Sequence, residues 1–288
     1  MKPITVAVIG GTGIYNLDNL KIIKEKRVRT PFGNPSDAII IGEIDGRAVA
    51  FLPRHGRGHC ISPTELNNRA NIYALKSLGV SKVISISAVG SLREEIKPGH
   101  FVIPDQLFDH TKYRPCSFFG DGAVGHIGFA DPFCPSLSTL TGKHAKSLKI
   151  NTHLGGTYVC IEGPQFSTRA ESHFFRSLKA SVIGMTALPE AKLAREAELC
   201  YVTIALATDY DVWKGETVSV EMVLDTLKKN SENVKKLMTR LLTDPATFSE
   251  KDHPCQHSLE NAIMTSPDKI PQKTKQKLKL LIGRYVKK

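Results

Sequence analysis

The sequence predicts an α/β protein: one domain, two or three layers deep, with a C-terminal helical appendage. Three observations carry that reading. Short Val/Ile-rich runs recur along the chain at the length of strands buried on both faces. Segments with helical spacing separate several of them. The 288 residues, 41% of them apolar, suffice to fill one sizeable core.

In order, the runs at 5–10 (TVAVIG), 38–44 (AIIIGEI), 48–53 (AVAFLP), 83–90 (VISISAVG), 157–163 (TYVCIEG) and 201–209 (YVTIALATD) read as strands. The best-signalled helix lies in SPTELNNRANIYALKSLG. Ser62 is its candidate N-cap, Pro63 sits at the first helical position, Glu65 completes a capping box and Gly79 closes the end. Further helices are expected near 167–179 and 188–198 and over 219–242. Residues 243–272 are polar and Pro-containing, which predicts a mobile connection before a terminal helix. The expected division is therefore a domain over 1–243 and a linker with a lysine-rich helical tail over 244–288.

The formal charge of +11 suggests a polyanion partner until its distribution is counted. Residues 268–288 hold eight basic residues and one acidic residue, so +7 sits there and +4 in the rest of the chain. The tail reads as a solubilising helix, a packing element between subunits or a weak polyanion-binding arm, and nucleic acid is not an expected partner. No run of 18 apolar residues suggests a membrane span, and the first residues lead into ITVAVIGG with no signal-peptide pattern. A soluble, cytoplasmic protein is the expectation. The six cysteines show no CxxC and no Cys/His pairing at zinc-finger spacing. Reduced, partly buried thiols and no metal are expected, with disulfides left open.

Ligands of open α/β sheets bind beyond the carboxyl ends of strands. After the first strand, GGTGIY offers Gly10, Gly11 and Gly13 for backbone approach to an anion, and the Thr12 hydroxyl. It has neither the dinucleotide-binding nor the Walker spacing, so a dehydrogenase is not indicated. After the third strand, PRHGRGH places Arg54, His55, Arg57 and His59 within six residues. After the fourth, Ser85, Ser87 and Ser91 surround a small-residue turn, and in GMTALPE Thr186 stands at a helix start. No GxSxG nucleophile elbow is present. Anion-binding chemistry at four strand ends suits a reaction in which the anion itself attacks.

The strand IALATDYDVW ends in Asp209 and Asp211, two residues apart. If the strand continues through Asp211 both carboxylates share one face; if not, they read as caps of the next helix.

Eight ordered segments, IGGTGIY, TPFGNPSD, PRHGRGH, NNRANIYALK, AVGSLREE, EGPQFSTRAES, GMTALPE and ATDYDVW, resemble the purine nucleoside phosphorylase family on its methylthioadenosine-using branch. The resemblance implies a nucleoside phosphorylase fold, a mixed, twisted central sheet flanked by helices. It also implies phosphorolysis of 5′-methylthioadenosine to adenine and 5-methylthioribose 1-phosphate, a step of purine and methionine salvage. Thr12, Arg54, His55, Ser87, Ala88 and Thr186 look like the phosphate site. Met185 looks like the ribose floor, Phe166 like the ring against the purine, and Ser167, Asp209 and Asp211 like the purine-recognition set. Val220 and Leu224 look like the wall for the methylthio group, with His59 near the 5′ end and His126 reaching it from a neighbouring subunit. Asp209 is expected to donate or share the proton at purine N7; Asp211 contacts the 6-amino group or positions Asp209. No cofactor is implied, inorganic phosphate being a co-substrate, and a homotrimer or a homohexamer made of two trimers is.

An Asp facing the 6-substituent favours a 6-aminopurine; a broader enzyme acting on adenosine, inosine or methylthioinosine is the alternative. Three departures from the family pattern stand out. Gly184 replaces the Asn that some relatives have, Gln165 replaces a frequent Arg, and the lysine-rich tail aligns with none of the family's motifs.

Overall fold

Strand alternation decides which layer each side chain joins. In the strand Val6–Gly10 (β1), Ala7 and Ile9 enter one apolar cluster while Val6 and Val8 enter another on the opposite face. Both faces are covered, so the run reads as continuously apolar. Burying each Val or Ile contributes about 1.5–3 kcal/mol. The computed structural model describes residues 3–11, 17–215, 218–249 and 253–286.

The elements continue as β2 (Lys21–Lys26), β3 (Ile39–Ile44), β4 (Arg47–Pro53), α1 (Asn68–Ser77), β5 (Lys82–Ser91), β6 (Phe101–Ile103), β7 (Gln106–His110) and α2 (Pro135–Ser147). They are followed by β8 (Thr152–Leu154), β9 (Thr157–Ile161), α3 (Arg169–Ser177), β10 (Val182–Gly184), α4 (Ala187–Glu196), β11 (Cys200–Asp209), α5 (Val220–Thr243) and α6 (Gln272–Ile282). The strands form one mixed sheet in the order β2-β3-β4-β1-β5-β10-β9-β7, with β11 paired to β5 and β6, and β6 to β8. The expected α/β class and C-terminal helix are therefore present. Side chains of α1, α4 and α6 fill one face, and those of α2 and α5 fill the other.

Topology assembles the strand ends. β4, β1, β5 and β11 run parallel, so Pro53, Gly10, Ser91 and Asp209 finish at one edge. β10 runs antiparallel to β5, Ile183 opposite Gly90, which delivers Gly184 and the two residues after it beside Ser87.

Three expectations change. The Ser62–Glu65 contacts form, Ser62 Oγ donating to Glu65 Oε2 at 2.5 Å, but they close an isolated turn. The helix starts at Asn68, because Asn67 caps it by accepting from Ala70 N at 3.1 Å while holding Phe32 O through its amide. The connection after α5 is packed rather than loose: it contains short 3-10 turns at Pro245–Phe248, Pro254–His257 and Pro267–Lys269, and Cys255, Leu259, Ala262 and Ile270 are buried. Finally, the basic tail packs against its own chain. Thr274, Leu278, Leu281 and Ile282 of α6 are buried, Lys277 pairs with Asp121 at 2.8 Å and Arg284 with Glu198 at 2.7 Å. No described helix is long and apolar enough to cross a membrane.

Candidate active site

A guanidinium buried in a protein interior needs an acid beside it. Arg54, at the end of β4, is 2% exposed and forms a forked pair with Glu190 of α4: Nε–H to Oε2 at 3.0 Å and Nη2–H to Oε1 at 3.1 Å. Nη2 also donates to Ser85 Oγ at 2.6 Å and Nη1 to the Ile86 carbonyl at 2.8 Å. Glu190, fully buried, accepts further from Ser85 Oγ and Tyr201 Oη, each at 2.7 Å. Burial works to lower the Arg54 pKa, but Glu190 outweighs it and the group is held above its ordinary value.

The other predicted cations separate. His55 donates Nδ1–H to the Ile61 carbonyl at 2.8 Å, which leaves the Nε2 lone pair outward. Burial, with Arg54 and His59 nearby, lowers its pKa to about 4, so it is a neutral imidazole. His59 stacks on it with ring centroids 4.3 Å apart. Arg57, by contrast, pairs with Glu25 at 2.8 Å and Asp37 at 3.5 Å, and so does not join the cluster. The serines divide likewise. Ser85 serves the Arg54–Glu190 pair, and Ser91 Oγ donates to the Arg93 carbonyl at 2.8 Å.

Only Ser87 meets the predicted helix start, its Oγ lying 2.8 Å from Thr186 Oγ1. Thr186 is the N-cap of α4 but makes no side-chain cap bond, so its hydroxyl is turned to this cluster. Ala88 is the one exposed residue of β5, between buried Ser87 and Val89. Thr12 lies outside the described residues.

Tyr158 completes the hydroxyl cluster, which the sequence did not suggest. Its phenol oxygen is 3.1 Å from Ser87 Oγ, and burial pushes its pKa up to about 12. A Cβ added at Gly184 would overlap that oxygen, so the missing side chain at 184 is matched by a tyrosine reaching in from β9. Arg114 is a second unforeseen residue. Its Nη1 donates to the carbonyls of Met185 and Leu188, both at 2.6 Å, and its Nε pairs with Glu162 at 3.3 Å, which ties the Met185 loop to the end of β9. Glu162 is held below its ordinary value, against the upward push of burial, by the Thr64 hydroxyl, the Lys112 N–H and Arg114.

The two aspartates converge by a turn. β11 ends at Asp209, after a bulge that shifts its register to β5 between Ala207 and Asp209. Asp211 follows in a left-handed conformation (φ 51°) and its N–H donates to Asp209 Oδ1 at 2.7 Å, while Thr208 Oγ1 donates to Oδ2 at 2.8 Å. A shared strand face is therefore not what aligns them. Gly90 makes the approach possible, since a Cβ there would meet Asp209 Oδ1 at 2.9 Å. Burial raises both aspartate pKa values, opposed at Asp209 by Thr208 and the Asp211 N–H and at Asp211 by nearby Ser172 and Ser167. Neither hydroxyl forms a hydrogen bond of good geometry with it: Asp211 Oδ2, Ser167 Oγ and Ser172 Oγ are all buried without a well-aligned partner. Three orphaned polar atoms in one place are what a polar ligand satisfies.

The loop bearing Phe166 and Ser167 is fixed by a capping box in which Thr168 and Glu171 exchange bonds at the start of α3. Gln165 is exposed, and Arg169 instead spans to the turn after Asp211 through Val212 O at 2.8 Å. Phe166 is 43% exposed, as are Val220 (64%) and Leu224 (59%), four residues apart on the first turns of α5. These apolar groups and His126, exposed in the loop between β7 and α2, stand outside the hydrogen-bonded clusters. Elsewhere, Cys134, Cys200, His253 and Cys255 gather with their ligand atoms within 4.8 Å of one another, a grouping that no spacing in the sequence signalled. The spacing argument fails because the four come from three distant segments.

Residues 5–243 match the sequence profile of the phosphorylase superfamily. The chain is 52% identical, over 99% of both chains, to a protein of Chloroflexus aurantiacus named S-methyl-5′-thioadenosine phosphorylase. It is 51% identical to one of that name from Geobacter sulfurreducens, over 98% of this chain and 99% of the other. A crystal structure of a methylthioadenosine phosphorylase from an antarctic soil metagenomic library superposes with a TM-score of 0.92 at 44% identity, covering 98% and 99% of the two chains. An S12T mutant of a Schistosoma mansoni adenosine/methylthioadenosine phosphorylase, solved in complex with methylthioadenosine, has a TM-score of 0.81 at 34% identity over 90% of this chain and 99% of that one.

Proposed function

The chain belongs to the phosphorylase superfamily, and from that premise we propose that it is a pentosyltransferase that reversibly cleaves 5′-methylthioadenosine with inorganic phosphate. The products are adenine and 5-methylthioribose 1-phosphate. The relatives at 51–52% identity favour this substrate over the broader alternative of adenosine, inosine or methylthioinosine.

One observation carries the purine side: Asp211 Oδ2 and Ser167 Oγ, buried and unpartnered, sit beside a second buried aspartate whose pKa is raised. An oxygen of phosphate attacks C1′ as the bond from C1′ to the purine breaks, and the bonding pair leaves with the base. Negative charge then grows on the purine. Asp209, whose pKa burial raises, is the group that donates or shares a proton at N7. Asp211 Oδ2 is free to accept from the 6-amino group, which a 6-oxo purine would not offer.

On the other side, Ser87, Thr186, the Ala88 backbone and a remaining Arg54 N–H supply donors to phosphate. Neutral His55 offers an acceptor to a protonated phosphate oxygen. Thr12 is assigned to the same anion. Met185 floors the ribose, Phe166 lies against the purine, and Val220, Leu224 and His59 surround the methylthio end. His126 reaches that end from a neighbour in a homotrimer or in a hexamer of two trimers. Residues 1–243 form the catalytic unit, braced by 244–288, and the enzyme works in the cytoplasm.

Adenine release from methylthioadenosine with and without phosphate tests the reading. Release should require phosphate; equal release in water alone would make the protein a hydrolase. Faster turnover of methylthioinosine than of methylthioadenosine would favour the broader enzyme.

A further inference from the structure

Thiols seldom gather without reason, because each is a weak hydrogen-bond partner and a strong metal ligand once deprotonated. Cys134, at the N-cap of α2, and Cys200, the first residue of β11, are each 1% exposed; Cys255, in the 3-10 turn Pro254–His257, is 5% exposed. His253 is the N-cap of that turn. The backbone fixes their places. Cys134 N–H donates to the Tyr201 carbonyl at 2.8 Å, which sets Cys134 beside the start of β11, and Cys200 N–H donates to the Ser81 carbonyl at 2.9 Å.

We propose that Cys134, Cys200, His253 and Cys255 form a structural Cys3His site for a tetrahedral divalent ion of the zinc type. A tetrahedron with Zn–S bonds of about 2.3 Å and Zn–N bonds of about 2.0 Å has ligand-to-ligand edges of roughly 3.5–3.8 Å. The four ligand atoms here lie within 4.8 Å of one another, and the two ring nitrogens of His253 are 3.7 and 4.0 Å from Cys134 Sγ, so a small inward movement closes the shell. The donor set is complete at four, which marks a structural rather than a catalytic zinc. On binding, each thiol loses its proton to solvent, and the imidazole gives one nitrogen lone pair while keeping its single proton on the other nitrogen, so Nδ1 gives up the bond of 3.2 Å that it accepts from Cys255 N–H. No electron transfer is involved. None of the four belongs to the phosphorolysis site.

The ion would join the C-terminal segment to the body of the sheet. That segment then pairs with the loop of His126, His126 N–H donating to the Ala262 carbonyl at 2.8 Å and Met264 N–H to the Val124 carbonyl at 2.9 Å. The site therefore sets the register of the loop that carries the residue assigned to a neighbouring subunit.

The test uses tag-free, full-length protein, reduced under argon and titrated with Co²⁺ and then Zn²⁺. One Co²⁺ per chain should bind with the intense visible bands and thiolate charge-transfer band of a tetrahedral cysteine site, and Zn²⁺ should displace it and raise the melting temperature. Cys134→Ser and Cys255→Ser should each weaken Co²⁺ binding about 100-fold or more. Cys60→Ser and Cys116→Ser, at exposed cysteines, should leave it unchanged. If a serine variant fails to fold, the wild-type titration and the exposed-cysteine variants still decide. Failure of the reduced wild-type protein to bind Co²⁺ or Zn²⁺ stoichiometrically overturns the proposal. So does a native mass lower by two hydrogens that Zn²⁺ cannot prevent, since that reveals a disulfide within the cluster.

Discussion

The phenol oxygen of Tyr158 fills the space in which a side chain at Gly184 would begin. The two positions are one unit: absence of a Cβ on β10 admits a hydroxyl from β9, and that hydroxyl meets Ser87. Tyr158→Phe should therefore raise the phosphate KM about five-fold, the worth of one hydrogen bond near 1 kcal/mol, with little change in melting temperature. Gly184→Ala should cost roughly 1–3 kcal/mol by overpacking. Thermal melts of Gly184→Ala, Tyr158→Ala and the double variant should show losses that are less than additive; strict additivity would separate the two residues.

Arg54 binds its neighbours so fully that replacing it has two effects. Arg54→Ala strands the Glu190 carboxylate in the interior, which should cost about 3–5 kcal/mol, enough to obscure any kinetic reading. Arg54→Lys keeps the charge without the fork. It should stay folded and raise the phosphate KM at least about ten-fold; an unchanged KM removes Arg54 from the phosphate site.

Asp209→Asn tests base recognition. An amide can still bond N7 but cannot supply the proton, and it offers a donor to a 6-oxo group. The variant should lose about 1–3 kcal/mol more in kcat/KM with methylthioadenosine than with methylthioinosine. Equal losses for the two substrates would argue against contact with N7 and the 6-position.

His55 gives a stability signature. Its folded pKa of about 4 lies below the ordinary histidine value of 6.5, so the neutral ring is favoured by folding. The resulting stability is present above 6.5 and is lost as pH falls from there toward about 4. His55→Asn should flatten that part of the melting-temperature profile, whereas an unchanged profile would place its source elsewhere. The phosphate kcat/KM should show no inflection from this imidazole between neutral pH and about 5.

For Asp211 the sign reverses. Its folded pKa is raised by burial, so its contribution is greatest below the ordinary carboxylate value and declines as pH rises through the folded value. Asp211→Asn should melt higher than the wild type at neutral pH, by roughly 2–4 °C per kcal/mol relieved, with the gap closing in acid. Differential scanning calorimetry across that range checks it; a gap independent of pH would mean that charge burial is not the cause.

All six apolar runs named from the sequence are strands, because burial on both faces writes itself into composition. The others were illegible for separate reasons. β2 reads Lys-Ile-Ile-Lys-Glu-Lys and is exposed throughout, as a sheet edge tends to be, so no apolar run marks it. β6, β8 and β10 have three residues each, too few to show a period of two. α2 follows a cysteine with no side-chain cap bond and is rich in Ser, Thr and Lys, so Pro135 at its first position is the one start signal and its buried face is not marked. The site divides in the same way. Loops after strands are local strings, and His55, Ser87 and Thr186 could be named from them. Glu190 is 136 residues from Arg54 and Tyr158 is 71 from Ser87, and no local pattern encodes such pairings. An acid flanked by Leu, Pro and Ala in a helix of small apolar residues was nonetheless a hint that Glu190 is buried and partnered.

The Arg54–Glu190 fork has a consequence for anyone trying to evolve this protein toward a different nucleophile. The guanidinium assigned to the anion also ties β4 to α4, so variants there that remove the positive charge will drop out of a library at the expression screen, before any substrate is offered. Ser87 and Thr186 meet through hydroxyls with no buried charge to strand, and randomising them first, with the fully buried Tyr158 kept, would explore new acceptors at less cost to the scaffold.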